Sequence, residues 1–334
     1  MRAVILDPAT TSAPVRVGAW PEPEVRPGWV VVRVTRAALN RNDAMWVDER
    51  HLLPGPAVIG SDAAGTVVAV GEGVAGVEAG DDVLVDPVLW WGPDDDAPQD
   101  GFELLGHPTQ GTLAELVTVP AENVHPRPTR LSPEEAAALP LAGVTAWRAL
   151  VTRGSLSAGD TVVITAASSG VGSIGVQIAT ALGARVVATT STAGRADAAT
   201  RLGADAVVLR TSSRYADELR EAVGPGGADL VLDTAGADWP VLLGALRRGG
   251  RLVSVGRTAG PTGSVDVGTL FWQHLSVLGS SIGSPRDFAA LLAHVAGASW
   301  APVVDEVLPL SDVASAYERL DSPARVGKVV LDLT

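Results

Sequence analysis

Thr161-Val-Val-Ile-Thr-Ala-Ala-Ser-Ser-Gly-Val-Gly-Ser-Ile-Gly-Val-Gln-Ile-Ala-Thr-Ala-Leu-Gly-Ala184 runs from an apolar stretch through a turn of small residues into a helix-forming segment without a break. Val162, Val163 and Ile164 have the continuous apolar character of a strand buried on both faces, and Val171, Ile174, Val176, Ile178 and Ala179 give the next segment an apolar helical face. A strand, a small-residue turn and a helix in that order form a seat for the pyrophosphate of a dinucleotide. The backbone can approach the anion closely, and the helix start offers unpaired N–H groups and the positive end of its dipole. The usual fingerprint of such a turn is G-x-G-x-x-G; here it reads Ala167-Ser168-Ser169-Gly170-Val171-Gly172, with small residues at two of the three glycine positions. A tight strand–helix turn with no ligand is the alternative for these residues alone.

A second strand, Arg185-Val-Val-Ala-Thr-Thr190, follows after one helix and ends roughly 20 residues beyond the turn, as a dinucleotide-binding βαβ unit requires. There an NAD site places an Asp or Glu on the ribose 2′-hydroxyl, whereas this chain has Thr189, Thr190, Ser191 and Thr192, with Arg195 close behind. Hydroxyls tolerate a phosphate that a carboxylate would repel, and a guanidinium neutralises it. The expected cofactor is therefore NADPH. The competing reading is a Ser/Thr helix cap followed by an exposed helix arginine.

The 334 residues suffice for two domains, and an apolar content of 46% with 19% charged residues is that of a soluble globular enzyme. A net charge of −13 argues against nucleic acid or an anionic membrane as partner, since either favours a basic patch. The opening Met1-Arg-Ala-Val-Ile-Leu6 is too short an apolar run for a signal peptide and no run is long enough for a membrane span, so the expected location is the cytoplasm. With no cysteine, the chain has no disulfide, thiol nucleophile or thiolate metal site. Lys328 is the only lysine, so Schiff-base chemistry, which would have to run through it, is not expected.

Residues 1–125 are rich in Val, Gly and Pro, with strand-like runs Val30–Val34, Gly65–Val70 and Asp82–Val85 between turn residues; they read as an irregular, mostly β domain. From Ser132-Pro-Glu-Glu-Ala136, a capped helix start, helices and strands alternate. The runs Ala206–Leu209, Asp229–Asp233, Arg251–Val255 and Leu275–Gly279 bring the parallel strands to six, the number in a doubly wound α/β dinucleotide fold. Helices around 286–296 and 313–320 and a last strand, Gly327–Leu331, follow, the strand returning to the first domain. The expected division is a catalytic domain at 1–125 completed by 285–334, and a nucleotide domain at 126–284.

The order of these parts, with Gly60-Ser-Asp-Ala-Ala-Gly65, Val70-Gly-Glu-Gly-Val74, Leu139-Pro-Leu-Ala-Gly-Val-Thr-Ala146 and the turn at 167–172, resembles the medium-chain dehydrogenase/reductase superfamily over nearly the whole chain. Ala38-Leu-Asn-Arg-Asn-Asp43 and the paired glycines are similar to its zinc-independent quinone oxidoreductase branch. The resemblance implies a GroES-like catalytic domain beside a Rossmann domain. It also implies a homodimer, with Leu275–Gly279, the sixth strand edge, as the seam. Zinc-dependent members hold their metal with a Cys, the His of a Gly-His-Glu motif and a third Cys or acidic residue. This chain has Asn40, Ser61 and Leu141-Ala-Gly143 at those places, and its loop from Asp86 to Gly111 lacks the cysteines of the structural zinc lobe. No zinc is expected. Without a Lewis acid to stabilise an alkoxide, the implied reaction is hydride addition from NADPH to an activated C=C, as in an enone, enal or enoyl thioester, or to a quinone. A member that keeps NADPH but has no net redox turnover, such as a cyclase, isomerase or binding protein, is the rival reading.

By the same resemblance Asn40 and Asp43 lie near the nicotinamide: the Asn40 amide donates to a substrate or cofactor oxygen, and Asp43 orients that amide or carries protons. The alternative is that both cap the following helix. Trp46, His51, Ser61, Trp90 and Trp91 are the expected substrate wall, with His51 a candidate proton donor or simply a loop residue, and packing against the domain surface the alternative for Trp90 and Trp91. The tyrosine that related enoyl reductases use in this segment is absent, because Tyr215 and Tyr317 lie far along the chain; water is the expected proton source. On the cofactor side Thr145 faces the nicotinamide ribose, and Asp233 is the expected nicotinamide neighbour, a plain strand-end cap being the alternative; Gly256 and Arg257 end the next strand, and strand carboxyl ends are where ligands bind in such sheets. Arg210, in place of an aromatic residue, is expected to stack on the adenine and pair with the 2′-phosphate.

Overall fold

The computed structural model describes residues 1–10 and 15–334, which divide into two units, Met1–Leu141 with Ser284–Thr334 and Ala142–Gly283. In the second unit the six expected apolar runs form one six-stranded sheet, every neighbouring pair parallel. Across it the strands run Ala206–Leu209, Arg185–Thr190, Thr161–Ile164, Ala228–Asp233, Leu246–Ser254 and Ser276–Gly279. The earliest strand lies in the middle, the second beside it and the third on one edge, the order of a doubly wound dinucleotide fold. Val162, Val163 and Ile164 are wholly buried, as a central parallel strand covered on both faces must be. The turn after them closes tightly. A Cβ on Gly172 would stand 2.3 Å from the Ala166 carbonyl, so only glycine lets the helix Gly170–Ala181 start against the strand.

The first unit is β-rich. Its main sheet has seven strands, Val124–Pro126, Asp82–Val85, Asp62–Val70, Trp29–Ala38, Lys328–Asp332 and Val304–Pro309 in order, with Leu116–Pro120 also paired to Trp29–Ala38. A three-stranded sheet of Val15–Ala19, Arg2–Leu6 and Ala57–Val58 accompanies it. Inward-facing Val30, Val32 and Val34 pack with Val67, Val83, Val117 and Leu331, each such burial contributing about 1.5–3 kcal/mol before entropy is counted.

The boundary falls after Leu141, where the sequence reading drew it at 125. Helix Pro133–Ala137, started by the Ser132–Glu135 capping box, packs on strands Trp29–Ala38 and Asp62–Val70, and the Leu141 N–H is bonded to Asp62. Segment 126–141 therefore belongs with the first unit. The C-terminal strand pairs antiparallel with Trp29–Ala38, Val330 opposite Ala38 and Asp332 opposite Arg36. Continued two residues, that register sets Lys328 opposite Asn40. No helix among the described residues is long and apolar enough to cross a membrane.

Candidate active site and cofactor seat

Asn40 ends the extended run after strand Trp29–Ala38 and caps helix Arg41–Asp48. Its backbone N–H donates to Asp43 Oδ2 at 2.7 Å, so Asp43 does close the helix start. The Asn40 carboxamide is held elsewhere. Its Nδ2 donates to Asp62 Oδ2 at 2.9 Å and approaches the Ala38 carbonyl at 3.4 Å, while Oδ1 accepts from Lys328 Nζ. Lys328 Nζ also donates to Asp62 Oδ2 at 2.9 Å, and the other oxygen of Asp62 accepts the Leu141 N–H at 2.7 Å. Asp62 and Lys328, which sequence reasoning did not nominate, are thus the centre of the cluster. Both are buried, and two opposite charges out of water are tolerable only when paired and hydrogen-bonded.

These contacts correct three expectations. The Asn40 amide points into the protein and spends its polar atoms there, so it does not present a free donor to substrate. Asp43 does not orient that amide; Asp62 and Lys328 do. Ser61 is fully buried with its hydroxyl donating to the Leu105 carbonyl at 2.8 Å, and therefore lines no substrate pocket. Burial raises the Asp43 carboxyl to about 7, against the opposing pull of the Asn40 N–H and the Lys328 charge. The same surroundings hold Tyr317: its hydroxyl is buried without a hydrogen-bond partner among the described residues, and burial, with the nearby Asp43 charge, pushes it well above the ordinary tyrosine value.

Trp46 is half-buried and meets the His107 ring edge-on at a centroid distance of 4.8 Å, so His107 joins the group while His51 stands exposed on the next turn. Trp91 is buried, donates Nε1 to the Asp94 carbonyl at 2.8 Å and packs on Phe102; it is loop core and not a pocket wall. Trp90 is 39% exposed but lies 6.5 Å from Trp29, at the far end of the strand that leads to Asn40. Ten strand residues at about 3.3 Å each separate those ends by roughly 30 Å, which removes Trp90 from the Asn40 group.

A zinc ion does not fit this donor set. The amide oxygen at 40 is taken by an ammonium, the hydroxyl at 61 by a carbonyl, and Leu141 brings only its N–H. Among the described residues no group of three His, Asp or Glu is placed to hold a metal.

In the second unit, Ser169 caps helix Gly170–Ala181 by accepting the Gly172 N–H at 3.0 Å. Ser168 is buried, while Ser169, Gly170 and Val171 are half-buried, so solvent reaches the helix start. The cradle fits a pyrophosphate: the N–H groups of the first turn have no intrahelical acceptor, and the Gly172 constraint brings strand and helix together. At the end of strand Arg185–Thr190, Arg195 Nη1 donates to Ser191 Oγ at 3.1 Å, and Thr192 Oγ1 accepts the Arg195 N–H at 3.4 Å as helix cap. Hydroxyls and guanidinium are together, as the phosphate reading requires, and the capping reading of Thr192 holds as well. Arg210 is held to Thr190 by its backbone N–H at 2.8 Å, but its guanidinium pairs with Asp238 at 3.2 Å.

Asp233 is corrected. Its carboxylate is fully buried and accepts from Thr165 Oγ1, the N–H groups of Ala235 and Gly236, Trp239 Nε1 and Ser254 Oγ. Five donors saturate the roughly four lone-pair sites of a carboxylate, leaving none for a nicotinamide. It is a strand-end cap that shapes the turn to Trp239. Gly256 packs within that turn, where a Cβ would meet the Thr234 carbonyl at 2.2 Å; Arg257 beside it is exposed, and Thr145 is buried in helix Pro140–Trp147.

Two family models match the chain: one described as alcohol dehydrogenase GroES-like domain over residues 26–129, and one described as zinc-binding dehydrogenase over residues 170–297. An acryloyl-coenzyme A reductase of Metallosphaera sedula is 30% identical over 323 residues, covering 93% of this chain and 94% of its own length. A zinc-type alcohol dehydrogenase-like protein of Schizosaccharomyces pombe is 30% identical over 322 residues, with 93% and 92% covered. Among solved structures, one described as an NAD-dependent alcohol dehydrogenase is 37% identical with a TM-score of 0.93, all of both chains being covered.

The raised Asp43 carboxyl predicts a pH signature. A folded value of about 7 against an ordinary 3.8 means that the group binds its proton more tightly when folded. Its contribution to stability is then complete below about pH 4 and is lost as pH rises through 7. Asp43→Asn, neutral and of the same shape, should lose less stability than wild type between pH 5 and pH 8, by an amount on the order of 1 kcal/mol or more. Denaturant midpoints of both proteins at the two pH values measure this; parallel behaviour would show that Asp43 is ionised throughout.

Proposed function

The chain belongs to the medium-chain dehydrogenase/reductase superfamily, and from that premise we propose that it is a zinc-independent, NADPH-dependent reductase of activated carbon–carbon double bonds or quinones. The observation that carries this reading is the engagement of Asn40 by Lys328 and of Ser61 by the Leu105 carbonyl, at two positions where zinc-dependent members place ligands. Oxidising a simple alcohol needs a Lewis acid or an equivalent to stabilise an alkoxide. Conjugate reduction needs less, because the developing enolate is met by hydrogen-bond donors and a proton from water. The acryloyl-coenzyme A reductase relative, whose name describes reduction of such a double bond, supports the substrate class. In this respect the chain parts from relatives named for zinc and stands with the quinone oxidoreductase-like branch.

Bound NADPH would supply the hydride. Ser169, Gly170 and Val171 would hold its pyrophosphate at the helix start, and Thr190, Ser191 and Arg195 its 2′-phosphate. Trp46 and His107 offer an aromatic edge to a planar unsaturated acceptor. The test is a panel of enones, enals, enoyl thioesters and quinones with NADPH, followed by loss of nicotinamide absorbance. Consumption that survives a metal chelator is expected. Activity lost on chelation and restored by zinc would refute zinc independence, and tight NADPH binding with no consumption by any acceptor would refute the reductase reading.

Cofactor choice is the second test. A charge-assisted contact to phosphate contributes roughly 1.5–3 kcal/mol, so Arg195 should favour NADPH over NADH by about tenfold to a hundredfold. Arg195→Ala should erase most of that preference, and Thr190→Asp should reverse it, since a carboxylate repels the phosphate and bonds the free ribose. Dissociation constants for both cofactors at fixed salt decide. Equal weakening of the two by Arg195→Ala would make Arg195 a helix-surface residue.

A homodimer through the sixth strand completes the reading. Strand Ser276–Gly279 is the outer strand of its sheet, and the helix before it exposes Val267, Phe271 and Trp272, the last at 69%, with the Phe271 and Trp272 rings 5.2 Å apart. An open edge flanked by exposed aromatics is a surface that a second copy would cover. Light scattering should give twice the chain mass for wild type and a shift toward the chain mass for Phe271→Glu/Trp272→Glu. A monomeric wild type would exclude the seam.

A further inference from the structure

We propose that the first unit carries its own cation, the Lys328 ammonium, among the segments that bear metal ligands in zinc-dependent relatives, and that Lys328 is a positioning residue for Asn40. Three segments that supply those ligands, around residues 40, 61 and 141, are tied here to one carboxylate: Asp62 accepts the Asn40 amide at 2.9 Å and the Leu141 N–H at 2.7 Å. The ammonium bridges Asp62 Oδ2 and Asn40 Oδ1. It arrives there by sheet register, since Val330 pairs with Ala38 and the Leu39 N–H donates to the Val329 carbonyl at 2.9 Å, which sets Lys328 beside Asn40.

The charges fix the amide in one orientation. With Oδ1 on the ammonium and Nδ2 on the carboxylate both ends are satisfied; turned over, the amide would set N–H against an ammonium and oxygen against a carboxylate. Neither charge can escape to water, because Lys328 is 3% and Asp62 0% exposed. Asn40 in turn gives its backbone N–H to Asp43, so the start of helix Arg41–Asp48, which carries Trp46, is set by an ammonium on the last strand.

The test removes the charge and returns it from solution. Lys328→Met keeps volume without charge, and Lys328→Ala leaves room for ethylammonium. Lys328→Ala should melt higher in ethylammonium chloride than in sodium chloride at the same ionic strength, and if it does not fold unaided, ethylammonium should raise its refolded yield over the sodium control. The kinetic arm rests on the reductase reading: Lys328→Met should keep NADPH affinity within about twofold while kcat falls at least tenfold, as displaced positioning groups commonly cost. Ethylammonium should restore part of kcat in Lys328→Ala. Equal effects of the two salts on melting and yield, or a folded Lys328→Met with wild-type kcat, would overturn the proposal. A wild type that consumes no NADPH would sink the reductase reading alone, and the amine-dependent melting would still decide this one.

Discussion

A carboxylate that no water reaches must find its partners within the protein, and Asp62 finds them in residues 40, 141 and 328. That requirement organises the first unit. It brings the end of strand Trp29–Ala38, the start of strand Asp62–Val70, the segment after helix Pro133–Ala137 and the C-terminal strand to one point. Hydrophobic burial makes the unit compact, but many arrangements of valines are compact. The partners of Asp62 admit few: a register slip of one residue between the last strand and Trp29–Ala38 would turn Lys328 to the other face and leave a buried charge alone, at about 3–5 kcal/mol.

The second unit solves the same problem with neutral donors. Asp233, also wholly buried, meets hydroxyls, two backbone N–H groups and an indole and, among the described residues, no cation. Those donors come from the carboxyl ends of the two strands flanking Ala228–Asp233 and from the turn that follows it, so one side chain holds the rim of the sheet where nucleotide ligands are bound in this fold. Glycines follow from that closeness: Gly236 at φ 79° faces the Gly256 carbonyl, and Gly256 faces that of Thr234. A rim held by these internal bonds leaves the helix start at 169–171 half-buried and open to solvent.

Much of the fold was legible because period and punctuation carry it. Six apolar runs spaced by helical segments announce a parallel sheet, and the Ser132 capping box and the small residues at 167–172 mark helix starts that the structure places there. Of the candidate site, what was legible was local grouping: the hydroxyls and guanidinium at 190–195, neighbours in sequence, are neighbours in space. Lys328 and Asp62 were hidden for a physical reason: their meaning lies in a pairing across 266 residues, which no local pattern expresses. The signals present were the solitary lysine in a chain otherwise committed to arginine and an acidic residue next to Ser61. Trp90 and Trp91 misled because aromatic character marks a pocket wall and a loop core alike, and only burial separates them.

The two charge centres differ in what they can tolerate. Beside Thr190 and Ser191 stand the guanidinium groups of Arg195, on the Ser191 hydroxyl, and of Arg210, on Asp238. The Arg210–Asp238 pair is partly exposed and contributes at most about 1 kcal/mol, so a phosphate can draw Arg210 away at small cost. A ligand can therefore reorganise the nucleotide end. The Asp62–Lys328 pair allows no such exchange, since breaking it strands both ions in a dry interior. A metal dication entering there would have to displace an ammonium already neutralised by Asp62, and beyond that carboxylate it would find only an amide and a hydroxyl, both weak donors to zinc. Charge is thus fixed and buried on one unit and partly exposed on the other.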